Sequence, residues 1–332
     1  MTGGMDQIDR LPEFADVEAA AERLRGMARR TPLLESDLLN ERLGGRLLLK
    51  AEGLQRTGSF KFRGAFNTIS QIEAPAVVAY SSGNHAQGVA AAARLLGKTA
   101  TIVMPADAPA IKVANTRGLG AEVRLYDRER ESREEIGAEI AARTGAALVR
   151  PYDDPRIIAG QGTAGMEISA QAAEVGVRLD AALIPCGGGG LIAGCGLALR
   201  ALVPGIEIYA VEPEQFDDTA RSLAAGERLS NPPGGRSICD ALLVPTPGAL
   251  TFALNRRQLT AGLAVTDAEV EHAMVVAFRD LKLVVEPGGA VALAAMLAGR
   301  FEVRGRTVAV MLSGGNVDPA LFGQILATRT AG

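Results

Sequence analysis

Short apolar segments alternate with longer helical patterns along most of the chain, and this alternation constrains the fold more than any other feature. Each apolar segment predicts a strand that stops at Gly, Pro or polar residues before the next helical pattern begins. Strands that alternate with helices favour parallel sheets covered by helices on both faces. We therefore predict an α/β fold with mostly parallel sheets and strands at 47–52, 77–80, 99–105, 121–126, 180–186, 207–213 and 307–312.

The composition supports a large core and excludes several classes of protein. Hydrophobic residues make up 48% of the 332 residues, which is enough for one large domain or two ordinary ones. A net charge of −3 without a basic arm argues against binding to nucleic acid. No apolar run is long enough to cross a bilayer, and the first residues lack the apolar core of a secretion signal. Because the three cysteines lack zinc-ligand spacing, we expect a reduced cytoplasmic enzyme.

The residues that follow each strand carry most information, because ligands of such sheets bind beyond the carboxyl ends of the strands. The segment PCGGGGLIAG at 185–194 has four glycines between a predicted strand and a predicted helix. Bare backbone amides at a helix N-terminus bind anions, usually phosphate. The spacing matches neither the dinucleotide pattern nor a Walker motif. The alternative interpretation is a flexible glycine loop without a ligand.

A second strand end, YSSGNHAQG at 80–88, presents hydroxyl and amide side chains. Ser81, Ser82 and Asn84 lie between a strand and a helix, where such residues often cap the helix. The functional interpretation is an anion site for a substrate carboxylate. His85 has either a catalytic role or a structural one as a hydrogen-bonding side chain.

One lysine lies in an unusual setting in TGSFKFRGA at 57–65. Lys61 stands between Phe60 and Phe62 at the predicted start of a helix. A desolvated lysine has a lowered pKa, so its neutral amine becomes available as a nucleophile and a base. The alternative is that Lys61 and Arg63 are solvated basic residues at the start of a helix.

A third strand end, MLSGGN at 311–316, carries a hydroxyl and two glycines. It predicts either a tight turn or a side chain, Ser313, that faces the ring of a ligand. A lysine able to form a Schiff base, together with a phosphate site, implies pyridoxal phosphate as cofactor. The second anion site suits an acid substrate as the small-molecule partner.

Four segments in this order, SFKFRGA, SSGNHAQG, CGGGGLIAG and LSGGN, resemble the fold-type II pyridoxal-phosphate enzymes. Threonine and serine dehydratases and serine racemase are the most similar members of that family. The resemblance extends from RTPLLES at 30–36 to SGGN, and the four motifs together are far more specific than any one alone. It implies a fold like that of the tryptophan synthase β subunit, with two three-layer α/β domains.

The resemblance also implies a role for each motif. Lys61 would carry the cofactor covalently, and Phe60 would pack beside the ring. Asn84 would contact the ring hydroxyl and Ser313 the ring nitrogen. Because a hydroxyl cannot hold that nitrogen protonated as a carboxylate would, elimination is favoured over transamination. The cofactor phosphate would be bound by Gly187, Gly188, Gly189, Gly190 and Leu191, and the substrate by Ser81, Ser82, Gly83, Asn84, His85 and Arg133.

Two further segments resemble serine racemase and related dehydratases. In VEPEQFDDTARS at 211–222, Glu212 and Asp218 would supply carboxylates and Phe216 a backbone carbonyl to a divalent cation. Hard oxygen ligands suit Mg²⁺ or Ca²⁺. The alternative is an acidic loop at a helix start, where carboxylates favour the helix dipole. Arg133, in ESRE, would meet a distal carboxylate of the substrate, or it is a solvated arginine on a charged helix.

These motifs predict a dehydratase, a carbon–nitrogen ammonia-lyase that converts a β-hydroxy amino acid to a keto acid and ammonia. L-Threonine, L-serine and 3-hydroxyaspartate all remain candidate substrates, and Arg133 suits the last of these. The main alternative is a serine or aspartate racemase in which Ser82 returns a proton to Cα. Further alternatives are a β-replacement synthase and a protein that binds the cofactor without catalysis.

The predicted domain organisation is discontinuous. Residues 1–76 and 154–332 would form a large cofactor-binding domain, and 77–153 a small mobile domain that closes over the substrate. The family resemblance implies a homodimer. We expect no nucleic-acid or membrane partner.

Overall fold

The computed structural model describes residues 10–108 and 110–329. Its strands are β1 (Leu33–Leu34), β2 (Arg46–Ala51), β3 (Ala76–Tyr80), β4 (Thr99–Pro105), β5 (Glu122–Tyr126), β6 (Ala147–Leu148), β7 (Ala181–Pro185), β8 (Glu207–Pro213), β9 (Ala261–Val265) and β10 (Thr307–Leu312). Its α-helices are α1 (Phe14–Leu24), α2 (Asp37–Leu43), α3 (Lys61–Ile69), α4 (Asn84–Leu95), α5 (Ala110–Gly118), α6 (Arg133–Thr144), α7 (Pro155–Glu174), α8 (Gly190–Leu202), α9 (Asp218–Ala225), α10 (Ala249–Gln258), α11 (Asp267–Leu281), α12 (Pro287–Leu297) and α13 (Pro319–Arg329). Short 3₁₀ turns, among them Glu214–Phe216 and Asp240–Leu242, connect several of these elements.

The larger sheet has six strands in the order β1-β2-β10-β7-β8-β9. Only the short edge strand β1 runs antiparallel to its neighbour. Every residue of β7, with the sequence AALIP, is buried. A continuous apolar strand of this kind is typical of a parallel sheet that is covered on both faces. The apolar cores on the two faces are formed largely by α11 and α12 on one side and by α7 and α8 on the other.

The smaller sheet has four parallel strands in the order β5-β4-β3-β6. One face packs against α6, with Val78, Val103 and Ile140 at the centre of the contact. The other face packs against α4, and the same apolar cluster includes Phe62 and Phe66 of α3. The helix that begins at Lys61 therefore packs against the four-stranded sheet, although its chain enters from the six-stranded one.

Glycines set the close approach of α7 to α8 beneath the larger sheet. A Cβ atom added to Gly194 would lie 2.1 Å from the carbonyl oxygen of Ile158, and one added to Gly165 would lie 2.8 Å from Cα of Cys195. No larger side chain fits at such distances, so the two helices meet backbone to backbone. Helix α7 begins at a defined point because Asp154 caps it and Pro155 occupies its first turn.

The seven strands predicted from apolar segments are all present, with ends that differ by one residue at most, and the α/β class is confirmed. The sequence patterns missed β1, β6 and β9. Two of these have only two residues each, and β9 is a half-buried edge strand whose segment AGLAV contains a glycine. The four-stranded sheet lies within residues 76–148, close to the predicted small domain, whose exact boundaries remain a prediction.

Within the described ranges, the structure contains no helix with both the length and the apolar character that crossing a bilayer requires.

Candidate active site

The lysine segment and the SGGN segment meet at the carboxyl end of β10. The backbone amide of Phe60 donates a hydrogen bond to the carbonyl oxygen of Ser313 at 3.1 Å, and Ser59 and Gly314 form an isolated β-bridge. Ser313 is only 4% exposed. The tertiary structure therefore brings together two motifs from opposite ends of the chain, as the prediction of a shared site requires.

The amine of Lys61 is partly buried and points across the start of α3. Its Nζ atom donates to the carbonyl oxygen of Pro151 at 2.8 Å and lies 5.2 Å from the centre of the Phe60 ring. Burial lowers the pKa of Lys61 from 10.5 to about 8, while the nearby Glu286 acts in the opposite direction. The neutral amine is therefore accessible near neutral pH, as predicted for a nucleophilic lysine.

Arg63 is buried, so the alternative that it is a solvated residue at the start of a helix is wrong. Its guanidinium makes two hydrogen bonds to Glu52, both at 2.8 Å, and two to Glu167. Lys50 is fully buried and also donates to Glu167, at 2.6 Å. Burial favours a raised pKa for Glu52, but Arg63 and Lys50 outweigh it and lower that pKa. This ion network anchors the first turn of α3 and thereby the backbone of Lys61.

The four glycines form a tight loop between β7 and α8. A Cβ atom added to Gly188 would lie 2.4 Å from the ring of Tyr152, and one added to Gly190 would lie 2.9 Å from Gln161. Gly189 has a φ of +85° and is the N-cap of α8, where no side chain caps the helix. Close packing and backbone conformation thus require glycine here, and the amides at the start of α8 remain suited to an anion.

The SSGNH segment joins β3 to α4 and faces the same cleft. The amide of Gly83 donates to Ser81 Oγ at 3.2 Å, and α4 begins at Asn84. His85 is 3% exposed, with its Nε2 atom 3.1 Å from the carbonyl oxygen of Val149. Burial and the charge of Lys61 lower the pKa of His85 to about 3. The imidazole is therefore neutral, and this contact is structural; its predicted contact with substrate remains a prediction.

Two residues that were not selected from the sequence, Glu286 and Asn316, hold the side chain of Asn84. The Nδ2 atom of Asn84 donates to Glu286 Oε1 at 2.6 Å, and its Oδ1 atom accepts from Asn316 Nδ2 at 2.7 Å. Burial raises the pKa of Glu286 to about 8, although its bond from Asn84 acts against that shift. A lone carboxylate between Val285 and Pro287, ahead of two glycines, was the signal available in the sequence.

Arg133 is the first residue of α6. Its guanidinium lies over the Tyr80 ring at 5.4 Å and donates to Glu134 at 2.8 Å, with half of the side chain exposed. Tyr80 is the last residue of β3, directly before Ser81. Tyr152, which packs on the glycine loop, has a pKa raised by burial, an effect that the charge of Arg133 opposes. Arg133 therefore contacts the residue that directly precedes the SSGNH segment.

The predicted cation ligands Glu212, near the end of β8, and Asp218, the first residue of α9, are both buried. Glu212 accepts hydrogen bonds from the amides of Thr219 and Ala220, and Asp218 Oδ1 accepts one from Asn231 at 2.6 Å. The other oxygen of Asp218 is buried without a hydrogen-bond partner. Burial raises the pKa of Glu212 to about 8 and that of Asp218 to about 6.

Phe216 ends the short 3₁₀ turn between these two carboxylates. In the described part of the chain, no group of three or more His, Cys, Asp or Glu side chains could hold a metal ion. A cation at Glu212 and Asp218 would therefore need backbone oxygens such as that of Phe216, as the sequence prediction proposed.

The architecture and the lysine, glycine-loop and serine segments define a class of protein, the pyridoxal-phosphate dependent enzymes. The family model of the pyridoxal-phosphate dependent enzymes matches residues 24–314, and the chain belongs to that family. The predicted fold-type II class and its cofactor family are thereby confirmed.

Particular relatives narrow the class. The chain is 45% identical to an L-threo-3-hydroxyaspartate ammonia-lyase of Pseudomonas sp, over 95% of this chain and 99% of the relative. It is 38% identical to a serine racemase of Schizosaccharomyces pombe, over 96% and 98% of the two chains. A crystal structure of a T.th. threonine deaminase matches with a TM-score of 0.87 and 46% identity, over 92% and 99% of the two chains. The predicted enzyme class, a carbon–nitrogen lyase, is confirmed.

The residues present fit pyridoxal phosphate. The start of α8 lacks a side-chain cap and is lined by glycines that no larger residue could replace, as a phosphate site requires. Lys61 has a lowered pKa and lies within the same cleft as Ser313 and Asn84. One N–H of Asn84 remains available for a ring oxygen, since its Nδ2 atom has two protons and donates only one to Glu286.

Proposed function

We propose that this enzyme is an ammonia-lyase acting on 3-hydroxyaspartate, in the L-threo form, with L-threonine and L-serine as poorer substrates. The observation that carries this choice is the position of Arg133, whose guanidinium lies over the ring of Tyr80, the residue directly before Ser81. A guanidinium can hold a carboxylate by two hydrogen bonds. 3-Hydroxyaspartate presents a second carboxylate for such a contact, whereas threonine and serine present none. The similarity to the L-threo-3-hydroxyaspartate ammonia-lyase of Pseudomonas sp supports the same substrate.

In the proposed site, the chain holds pyridoxal phosphate through Lys61, the glycine loop, Asn84 and Ser313, with Phe60 beside the ring. The cofactor supplies, when bound, an electron sink for negative charge at the substrate Cα. The backbone around Ser81–Asn84 binds the α-carboxylate, and Arg133 binds the distal one. These contacts place Cα next to the amine of Lys61.

Lys61 is the acid–base group of the proposed reaction. Its neutral amine removes the proton from Cα, and the resulting ammonium remains close to the carbonyl oxygen of Pro151. The electron pair of the Cα–H bond forms a Cα–Cβ double bond as the Cβ–O bond breaks, and the leaving hydroxyl takes from Lys61 the proton removed from Cα and departs as water. The released enamine tautomerises to an imine, which water hydrolyses to the keto acid and ammonia.

The test is a substrate panel that follows keto acid and ammonia from L-threonine, L-serine and the isomers of 3-hydroxyaspartate. We expect Arg133→Ala to lower kcat/KM for 3-hydroxyaspartate by about 10- to 100-fold, the value of one charge-assisted contact of about 1.5–3 kcal/mol. Activity on L-serine should change less than about threefold, because L-serine has no distal carboxylate for Arg133 to bind and surface substitutions alone have small effects. Arg143→Ala, in the last turn of the same helix, is the matched control. Equal losses on both substrates would refute the proposed role of Arg133.

Racemisation is the second candidate, and one observation favours it. Ser81 Oγ accepts the amide of Gly83, whereas the hydroxyl of Ser82 has no hydrogen-bond partner in the described part of the chain. A free hydroxyl at this edge of the cleft can exchange a proton with Cα. Chiral analysis of the remaining substrate measures this activity. Inversion without ammonia release, abolished by Ser82→Ala, would replace the lyase by a racemase; ammonia formation that Ser82→Ala leaves unchanged supports the lyase.

We also propose that Mg²⁺ or Ca²⁺ binds between Glu212, Asp218 and the carbonyl of Phe216. Two buried carboxyls with raised pKa values, one with an unpartnered oxygen, form an arrangement that a divalent cation would stabilise. Isothermal titration of each cation into the chelator-treated enzyme tests this site.

The proposed enzyme is a cytoplasmic homodimer. Several large apolar side chains of the larger-sheet region, including Leu54, Phe278 and Val284, are more than 40% exposed and are suited to a subunit contact. Sedimentation equilibrium tests the dimer, and a monomer at all concentrations would refute it.

A further inference from the structure

The carboxamide of Asn84 is held from two sides by residues of other segments. Asn84 opens α4, next to the smaller sheet, whereas Glu286 precedes α12 and Asn316 follows β10 at the larger sheet. The two contacts, at 2.6 Å to Glu286 and 2.7 Å to Asn316, therefore cross between the two sheets. No other side chain of the proposed cofactor site has both ends of its polar group engaged in this way within the described residues.

Hydrogen-bond chemistry determines which end of the carboxamide faces which partner. Asn316 Nδ2 donates to the carbonyl oxygen of Thr57 at 2.7 Å, so the atom at that position is a nitrogen. Its second proton goes to Asn84, which must therefore present its oxygen to Asn316. The nitrogen of Asn84 then faces Glu286 and uses one of its two protons there. The remaining N–H is the one donor of this side chain left for a ligand.

Glu286 itself has little freedom to move. It is 4% exposed, its amide donates to the carbonyl oxygen of Gly314, and its Oε1 atom would lie 2.1 Å from a Cβ atom added to Gly314. The carboxyl thus fills the space above a glycine of the SGGN segment. Asn316 is held equally tightly, because its Oδ1 atom would lie 2.4 Å from a Cβ atom added to Gly58.

We propose that Glu286 and Asn316 are positioning residues that orient the Asn84 carboxamide, so that its one remaining N–H points at the ring oxygen of the cofactor. Neither residue needs to touch the substrate for this role. The contacts also tie the helix that carries Asn84 to the SGGN segment that carries Ser313. They thereby fix the positions of Asn84 and Ser313, the two residues proposed to contact the cofactor ring, relative to each other. The proposal rests on cofactor binding and is independent of which hydroxy amino acid is the substrate.

The charge state of Glu286 is compatible with this role. Burial raises its pKa to about 8, and the charged groups that face it are Asp240, which raises that pKa, and Lys112 and Lys61, which lower it. A carboxyl oxygen accepts the Asn84 N–H in either protonation state. Gln at this position keeps an acceptor of the same shape, whereas Ala removes it.

The experiment measures the dissociation constant of pyridoxal phosphate for the apo-protein, by titrating the visible absorbance of the bound cofactor. We expect Glu286→Ala and Asn316→Ala each to weaken binding about tenfold, which corresponds to one lost hydrogen bond of about 1.4 kcal/mol. Glu286→Gln should remain within about threefold of the wild type, because the acceptor is kept. Asn40→Ala is the matched control, since Asn40 is hydrogen-bonded at the opposite, N-terminal end of β2.

Double variants separate positioning through Asn84 from general destabilisation. In an Asn84→Ala background, the effect of Glu286→Ala and of Asn316→Ala on the dissociation constant should fall below about twofold, because the group they orient is gone. Full additivity of either pair would overturn the proposal, as would Glu286→Gln binding as weakly as Glu286→Ala. If Glu286→Ala does not fold, the Asn316 cycle alone decides the question. A loss of lyase activity with unchanged cofactor binding would contradict this inference but leave the proposed function intact.

Discussion

The backbone amide of Phe60 and the carbonyl oxygen of Ser313 are joined by a hydrogen bond of 3.1 Å. A second bond, from the amide of Gly315 to the carbonyl oxygen of Gly58, continues the same pairing. The lysine that would carry the cofactor and the serine that would meet its ring nitrogen are thus set by one backbone pairing. Because both contacts are between main-chain atoms, the relative position of Lys61 and Ser313 depends little on the side chains around them.

Lys61 should destabilise the apo-protein at neutral pH. Its pKa is 10.5 when unfolded and about 8 when folded. Burying the charged amine therefore lowers the free energy of unfolding, and this cost is fully present below pH 8. The unfolded state binds more protons between pH 8 and pH 10.5, so this cost is relieved as the pH rises through that window. We expect Lys61→Met to raise the free energy of unfolding at pH 7 by up to about 3 kcal/mol, and by much less at pH 10.

Urea unfolding of the two apo-proteins at both pH values measures this difference. The same variant should have no lyase activity after incubation with pyridoxal phosphate, while its circular dichroism remains that of the wild type. Retained turnover would refute the proposed role of Lys61. A stability difference that does not shrink between pH 7 and pH 10 would mean that packing, and not the charge of the amine, is its cause.

Gly188→Ala should disrupt the glycine loop that we propose binds the cofactor phosphate. The added Cβ atom would meet the ring of Tyr152 at 2.4 Å, so either the loop or the ring must move. Overpacking of this kind costs about 1–3 kcal/mol, and a displaced loop cannot present its amides to a phosphate. We expect a loss of thermal stability and at least a tenfold weaker affinity for pyridoxal phosphate.

Gly323→Ala is the matched control for that substitution. Gly323 lies on α13, and nothing lies within 4 Å of an added Cβ atom there. In a helix this change should raise stability by about 0.4–1 kcal/mol and leave cofactor affinity unchanged. Equal behaviour of the two variants in calorimetry and in cofactor titration would contradict the steric account of Gly188.

Divalent cations should stabilise the protein through the two buried carboxyls at the end of β8. A ligand that binds only the folded state adds about 2.7 kcal/mol at a concentration of 100 times its dissociation constant. We expect millimolar Mg²⁺ or Ca²⁺ to raise Tm in differential scanning calorimetry, and Asp218→Asn to abolish the increase. Asp217→Asn, the half-buried neighbour that pairs with Arg221, is the control that should retain it. A rise that persists in Asp218→Asn would place the cation elsewhere.

The buried ion network under α3 should contribute strongly to stability. Arg63→Met leaves the carboxylates of Glu52 and Glu167 without their main partner, which costs about 3–5 kcal/mol for a buried charge. Arg46→Ala removes the more exposed pair with Glu35 and should cost less than about 1 kcal/mol. Chemical denaturation of both variants gives the comparison. Similar losses of unfolding free energy in the two variants would show that the buried network contributes no more to stability than the exposed pair.

Local sequence patterns predicted the strands that lead into the proposed site. All strands whose ends carry a motif were predicted, because a continuous apolar run followed by glycine or a hydroxyl is a local signal of a buried parallel strand. The four glycines and the SGGN turn follow such strands, whereas Lys61 was marked by its position between two phenylalanines at a predicted helix start. The roles of Asn84, Ser313, Ser82, Arg133 and the cation ligands remain predictions that the experiments above address.

The sequence alone could not reveal partners that meet only through folding. Glu286 and Asn316 are distant from Asn84 along the chain, and no local pattern marks a carboxyl as the acceptor for one particular amide. Arg63 shows the same limit, because its guanidinium looks solvated in a helical pattern and is instead buried against Glu52 and Glu167.

By itself, then, the sequence determined the α/β class and the order of the strands along the chain, and it singled out Lys61 as the lysine predicted to be reactive. These depend on apolar runs, glycines and neighbouring residues, which act over a few positions. Only the tertiary structure decided which groups surround that lysine and how far its pKa falls, because burial and charge act through space. The carbonyl of Pro151 and the carboxyl of Glu286 reach Lys61 from other segments, and the folded chain alone brings them there.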